Sequence, residues 1–109
     1  MSQLQKFLLL EKSKSTTLKG LIEGSEISDN AALRDWMQQV DEWRIAAYET
    51  IYLLHPAEAG NFNTLGLFTP ELARGTQILN PMHEQQLLML IRRIHILEEI
   101  RDRWTIRRS

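Results

Sequence analysis

Between Asn30 and His55, apolar residues recur at Leu33, Trp36, Met37, Val40, Trp43, Ala47, Ile51 and Leu54, the three-and-four spacing of one helical face. A long amphipathic helix is predicted there. Ser28, Asp29 and Asn30 offer N-cap side chains, and His55-Pro56 closes the helix because the residue before a proline avoids the helical region. At a rise of about 1.5 Å per residue the helix measures roughly 37 Å. An earlier stretch, Ser2 to Glu23, gathers Leu4, Phe7, Leu8, Leu18 and Ile22 on one face, with Leu10 and Leu21 on its flank and Gly24 in the position of a C-terminal cap. Ser13 to Thr17 and Gly20 are weak helix formers, which predicts a break near Ser15.

The third long segment opens with Asn80-Pro81, a cap residue followed by proline at the first helical position, and continues to about Trp104. Its stripe is Leu87, Leu90, Ile91, Ile94, Leu97 and Trp104, nearer a period of about 3.5 than about 3.6 residues, which favours left-handed wrapping of partner helices. Ala57 to Thr69 reads as a loop containing Gly60, Asn61, Asn63 and Gly66, whose Phe62, Leu65, Leu67 and Phe68 lid one end of the bundle. Thr69-Pro70-Glu71 then caps and starts a short helix ending near Gly75. The expected architecture is all-α: an up-and-down antiparallel bundle of three long helices plus one short helix, forming a single domain over residues 1–109.

Composition agrees with that expectation. The 109 residues are 43% hydrophobic and 25% charged, with a formal net charge of -1, and a folded chain of this size buries about two-thirds of its surface in one modest core. The longest apolar run, Leu87 to Ile91, is far short of the roughly 18 to 20 residues of a membrane-spanning helix, and so is the N-terminal quartet Phe7 to Leu10. Glu11, Lys12 and Lys14 follow it at once and no small-residue cleavage site appears, so the N-terminus reads as a mature cytoplasmic start. The absence of cysteine removes disulfides, thiolate metal sites and Cys nucleophiles together.

Two charges stand on apolar faces. Arg44 falls inside the arc of the second helix, and Glu11 falls between Leu4 and Phe7 in the arc of the first. In an antiparallel hairpin turning near Ile27, Glu11 lies 16 residues before the turn (27 − 11) and Arg44 lies 17 after it (44 − 27), at matching levels. An unpaired charge there would be expensive, so a structural Glu11–Arg44 ion pair is expected. In the third helix, Glu98 and Arg101 offer an i,i+3 pair, with the core ending near Leu97 and the last turns protruding.

Other apolar residues fall outside the main arcs: Ile45, Tyr52 and Leu53 on the second helix, Met89 and Ile96 on the third. A fourth element, such as the short helix and the Phe62 to Phe68 loop, covers them, or a partner does. Ile45, Tyr52, Met89 and Ile96 are therefore the candidate interface for a partner protein or a homo-oligomer. The C-terminal piece sets Arg92, Arg93, Arg101, Arg103, Arg107 and Arg108 against Glu98, Glu99 and Asp102, with Trp104 among them, a basic, aromatic-bearing end that could contact nucleic acid. Against this, the pI near 6.3 is not that of a dedicated nucleic-acid binder, and cations also suit a helix C-terminus by complementing its dipole.

Candidate reaction chemistry is sparse. His55, His83 and His95 lie at a helix end, a helix start and a flank, and none follows a Glu by three residues as in helical di-iron sites. His95 with Glu98 or Glu99 supplies at most two ligands on one helix, too few for a metal site. No glycine-rich phosphate cradle is present, and the serines at Ser13 and Ser15 have no histidine near them in sequence. Neither an enzyme, nor a cofactor, nor a metal is expected.

The succession Leu18, Leu21-Ile22, Gly24, Ile27, Leu33, Trp36, Val40, Trp43 and Phe62 resembles small helical domains of bacterial proteins, many of them encoded near phage-defence functions, over roughly residues 16 to 65. The resemblance implies a helical scaffold or interaction domain and brings no catalytic residue with it. Trp43 departs from the pattern, where an aliphatic residue would be expected, and no histidine meets the Arg-to-His spacing of helical ribonucleases. The expected function is a non-enzymatic protein-interaction module that self-associates or docks a partner in a bacterial or phage defence or regulatory setting. The alternative is a nucleic-acid-associated regulator that uses the basic C-terminal helix.

Overall fold

The computed structural model describes residues 2–64, 72 and 76–106. Among them every regular element is helical: α1 (Gln3–Thr16), which runs into a π-helical turn (Thr17–Ile22), α2 (Asn30–Leu54), α3 (Pro56–Thr64) and α4 (Pro81–Ile106). The fold is all-α. The short helix expected from Thr69 to Gly75, apart from Leu72, and the lid residues Leu65, Leu67 and Phe68 lie outside the described residues.

Local sequence explains where the helices start. Ser2 and Gln5 form a reciprocal capping box at 3.1 Å in each direction. Of the three cap candidates before α2, Asp29 is the one used, its Oδ1 accepting the Ala32 amide at 2.8 Å. Asn80 caps α4 through the His83 amide at 2.9 Å, ahead of Pro81. His55 ends α2 with a non-helical backbone, φ -148° and ψ 77°, as the following proline requires.

The irregularity foreseen near Ser15 is a π-helical turn rather than a break. The Ser13 carbonyl accepts the Thr17 hydroxyl at 2.8 Å and the Trp43 indole N–H at 3.1 Å, and such side-chain competition for a helical carbonyl bends or widens the turn. About two turns later, the Leu21 carbonyl accepts the Trp36 indole at 2.9 Å. The two tryptophans are seven residues apart (43 − 36) and their acceptors eight (21 − 13). A π turn accommodates the extra residue, because it holds more residues per turn than the α-helix opposite. Gly24 follows where a Cβ would stand 2.9 Å from the Gly20 carbonyl oxygen.

Higher residues of α2 meet lower residues of α1 at those two indoles, so the pair runs antiparallel. The same reversal holds between α1 and α4, where Lys14 reaches Glu98 at 3.3 Å and Glu11 reaches Arg101. It holds again between α3 and α4, where Asn63 meets Arg93 and Glu58 meets Arg103. The starts of α2 and α4 share one end, tied by His83, whose Nδ1 accepts the Leu79 amide at 3.1 Å while Nε2 lies 3.0 Å from the Ser25 carbonyl. Its ring stands edge-on to Trp36 with centroids 5.5 Å apart. At about 1.5 Å per residue the two long helices account for most of the 45 Å long axis.

Two expectations change here. The segment after His55 is a helix, not a loop: Pro56 suits a first helical position, and the burial of Ala59 and Phe62 against α2 outweighs the poor propensity of Gly60, Asn61 and Asn63. Phe62 is fully buried, its ring edge-on to Trp43 with centroids 5.7 Å apart, so it is core rather than lid. The core also continues beyond Leu97. Ile100 is fully buried, because α1 and α3 both extend alongside the last turns of α4.

Candidate functional site

α2 carries buried residues on one side and leaves a long outer face. Ile45 is 43% exposed, Tyr52 57% and Leu53 73%, although all three stand mid-helix or in its last turns rather than on a loop. The half-buried Tyr48 stacks on Tyr52 with ring centroids 6.1 Å apart and planes 27° from parallel. Ile45, Tyr48 and Tyr52 are three and four residues apart, one above the other on the helix surface. Tyr48 belongs to this face, and its spacing from Ile45 was the sequence signal for it. The exposed carboxylates of Glu42 and Glu49 bracket Ile45 on the same side.

The other half of the expected interface is not on the surface. Ile96 is only 5% exposed, and Met89 is half-buried against the core. The reason is α3: Ile96 lies between Arg93 and Arg103, the two α4 residues that reach Asn63 and Glu58 of α3. A fourth helix therefore covers that side of α4, while nothing among the described residues covers the outer face of α2.

The expected Glu11–Arg44 ion pair is replaced by two separate arrangements. Glu11 pairs with Arg101, which also donates to Asp102 at 2.7 Å. Arg44 donates to Asp41 of its own helix at 2.7 and 3.1 Å, and to the Asn63 side chain at 2.8 Å. Both residues sit level along their helices, but α4 stands beside Glu11 and α3 beside Arg44, so each charge finds a nearer partner. Glu98 likewise pairs with Lys14 rather than Arg101.

Among the described residues of the basic C-terminal end, Arg92, Arg101 and Arg103 are paired internally. Arg92 is 3.8 Å from Glu99, Arg103 pairs with Glu58, and Arg101 holds Glu11 and Asp102. The Trp104 side chain, Arg107 and Arg108 lie outside the described residues. Arg93 is 7% exposed and donates to the Asn63 carbonyl at 3.1 Å. Its buried Nε has no hydrogen-bond partner. Burial first, and then the neighbouring Arg44 charge, bring its guanidinium down to about 10, against the opposing pull of Asp41.

A buried cation with a carbonyl but no carboxylate ligand is costly. Arg93→Met keeps much of the aliphatic stem and removes both the desolvated charge and its repulsion with Arg44. The melting temperature is expected to rise by roughly 4 °C, about 1 kcal/mol. A thermal melt followed by circular dichroism checks this, and a fall of similar size would show that the Asn63 hydrogen bond outweighs the buried charge.

Two of the three histidines, His55 and His83, serve the fold. His83 links the Ser25 turn to α4, and His95 is exposed. His55 is buried at the α2–α3 corner, where desolvation and then the nearby Lys6 charge lower its pKa and favour the neutral ring. No group of three or more His, Asp or Glu side chains among the described residues could hold a metal ion. Among the same residues no helix is long and apolar enough to cross a membrane. No family model, no curated protein and no solved structure matches this chain.

Proposed function

We propose that this chain is a non-enzymatic protein-interaction module, built as an up-and-down antiparallel helical bundle, which docks a partner protein or a second copy through the outer face of α2. The observation that carries this reading is the exposure of Ile45, Tyr52 and Leu53 on a 25-residue helix whose opposite side is core. Leu4, Leu8, Leu18 and Met82 are exposed as well, but they lie in the first turns of α1, in the π turn and at the start of α4. Among the described residues, only the α2 group combines large apolar side chains with an aromatic stack on a continuous helical stripe, the kind of surface that marks protein contacts.

A photo-reactive phenylalanine derivative placed at position 52, with position 39 on the same helix as control, tests the reading in the cells that make the protein. The expected result is a protein adduct specific to position 52, with a mass that distinguishes a second copy from another partner. Equal labelling at both positions, or none, would overturn it. An adduct destroyed by nuclease would transfer the assignment to nucleic acid.

A further inference from the structure

We infer that the partner seated on α2 is a basic amphipathic helix, a segment with an apolar stripe flanked by lysine or arginine. This rests on the interaction reading above and adds the chemistry of the occupant. Gln38, Glu42, Ile45, Glu49 and Tyr52 follow one another at intervals of four, three, four and three residues, and all are exposed. They form a single stripe that, from Glu42 to Tyr52, alternates carboxylate with apolar side chain. From Glu42 to Tyr52 it runs about 15 Å, some three helical turns.

From Gln38 to Tyr52 the charge on this face has one sign, and the exposed Arg34 lies one turn before Gln38 on the same stripe. Between Asp41 and Leu54, α2 carries Asp41, Glu42 and Glu49 against Arg44, three acidic groups and one basic, a balance of −2. Arg44 is already committed to Asp41 and to Asn63, on the flank toward α3. Among the described residues neither Glu42 nor Glu49 has a salt bridge, and Glu42 accepts only the Gln38 amide, at 3.2 Å. Two exposed carboxylates beside exposed Ile45 and Tyr52 are complemented by cations beside an apolar stripe.

The same charges count against the other occupants. A second copy docking by a two-fold axis near Ile45, the centre of the apolar patch, would bring Glu49 against the partner's Asp41 and Glu42, and like-charge juxtaposition costs affinity. Phosphate backbones and anionic lipid surfaces are repelled for the same reason. An amphipathic helix laid along the stripe meets Ile45, the Tyr48–Tyr52 stack and Leu53 with its apolar residues, while its flanking cations reach Glu42 and Glu49. The stacked tyrosines are rigid, so ordering them on binding costs little entropy.

The test uses the full chain and two labelled synthetic helical peptides of identical leucine pattern, one with lysine and one with glutamate at the remaining positions. Fluorescence anisotropy is expected to show the lysine peptide binding about tenfold or more tightly than the glutamate peptide, with an affinity that falls as salt rises. The double variant Glu42→Lys, Glu49→Lys is expected to invert that preference. The double variant Ile45→Ser, Tyr52→Ser is expected to weaken the lysine peptide about tenfold without inverting the preference. Circular dichroism confirms that these exposed-site variants are folded.

Equal affinity for both peptides, no binding of either at millimolar concentration, or lysine-peptide binding indifferent to the charge reversal would overturn the basic partner. If the serine variant still loses binding in such a case, the interaction face stands and only its charge preference fails. If the serine variant binds as wild type, the face itself fails.

Discussion

Ile96→Glu is expected to destabilise the fold by several kcal/mol, whereas the double variant Ile45→Ser, Tyr52→Ser leaves the melting temperature almost unchanged. Both sets of positions look alike in sequence, as apolar residues off the main helical stripe. Ile96, however, is 5% exposed and walled in by α3, with Arg93 and Arg103 on either side of it making their own contacts to that helix. Burying a carboxylate there costs several kcal/mol, which Arg93, one turn away and bound to the Asn63 carbonyl, offsets only in part, against a total stability of about 5 to 15 kcal/mol for a domain of ordinary size. The exposed pair on α2 should shift stability by no more than about 0.5 kcal/mol. Thermal melts of the two variants decide the matter. A folded Ile96→Glu protein with a near-native melting temperature would mean that α3 does not pack on α4.

Phe62→Ala carries the second-largest expected effect, a loss of about 3 to 5 kcal/mol, or a fall in melting temperature on the order of 15 °C. Phe62 is fully buried and meets the Trp43 ring edge-on, so truncation removes the transfer energy of the side chain, opens a cavity and breaks an aromatic pair. The consequence reaches further than the site. α3 is a nine-residue helix with two buried side chains, Ala59 and Phe62, and helices this short have little stability of their own. Loosening it uncovers Ile96 and removes the Asn63 groups that hold Arg44 and Arg93. Hydrogen exchange on the variant should therefore show protection lost first in α3 and in the middle of α4. A destabilisation under about 1 kcal/mol would contradict the seat assigned to Phe62.

These two experiments bear on why part of the molecule is legible in its sequence. The start of α2 at Asn30, its end before Pro56, and the start of α4 at Pro81 follow from groups within a few residues of each boundary: an Asp or Asn side chain aimed at a free amide, and a proline that forbids the next turn. The buried side of α2 follows from the period of its apolar residues, since the wheel that lists Leu33, Trp36, Val40, Trp43, Ala47, Ile51 and Leu54 needs only the helix to exist. Ile45 and Tyr52 fall off that wheel for the same local reason, and they are exposed.

Tertiary structure decided the rest. Gly60, Asn61 and Asn63 argue for a loop, and only the docking of Phe62 beside Trp43, fully out of reach of local signals, makes that segment a helix. Glu11 and Arg44 stand at matching levels of adjacent helices, yet a level says nothing about which other helix stands closer; α4 supplies Arg101 to one and α3 supplies Asn63 to the other. Ile96 and Tyr52 separate by the same rule. The pattern of α2 determined which of its residues could face a neighbour, because periodicity is a property of one segment, whereas on α1 and the π turn the expected face of Leu4, Leu8 and Leu18 is exposed and the flank residues Leu10 and Leu21 are core. Which neighbour arrived, and which face was left to solvent, depended on contacts between residues 19 to 90 positions apart, such as Arg44 with Asn63 and Arg101 with Glu11, and no local pattern encodes those.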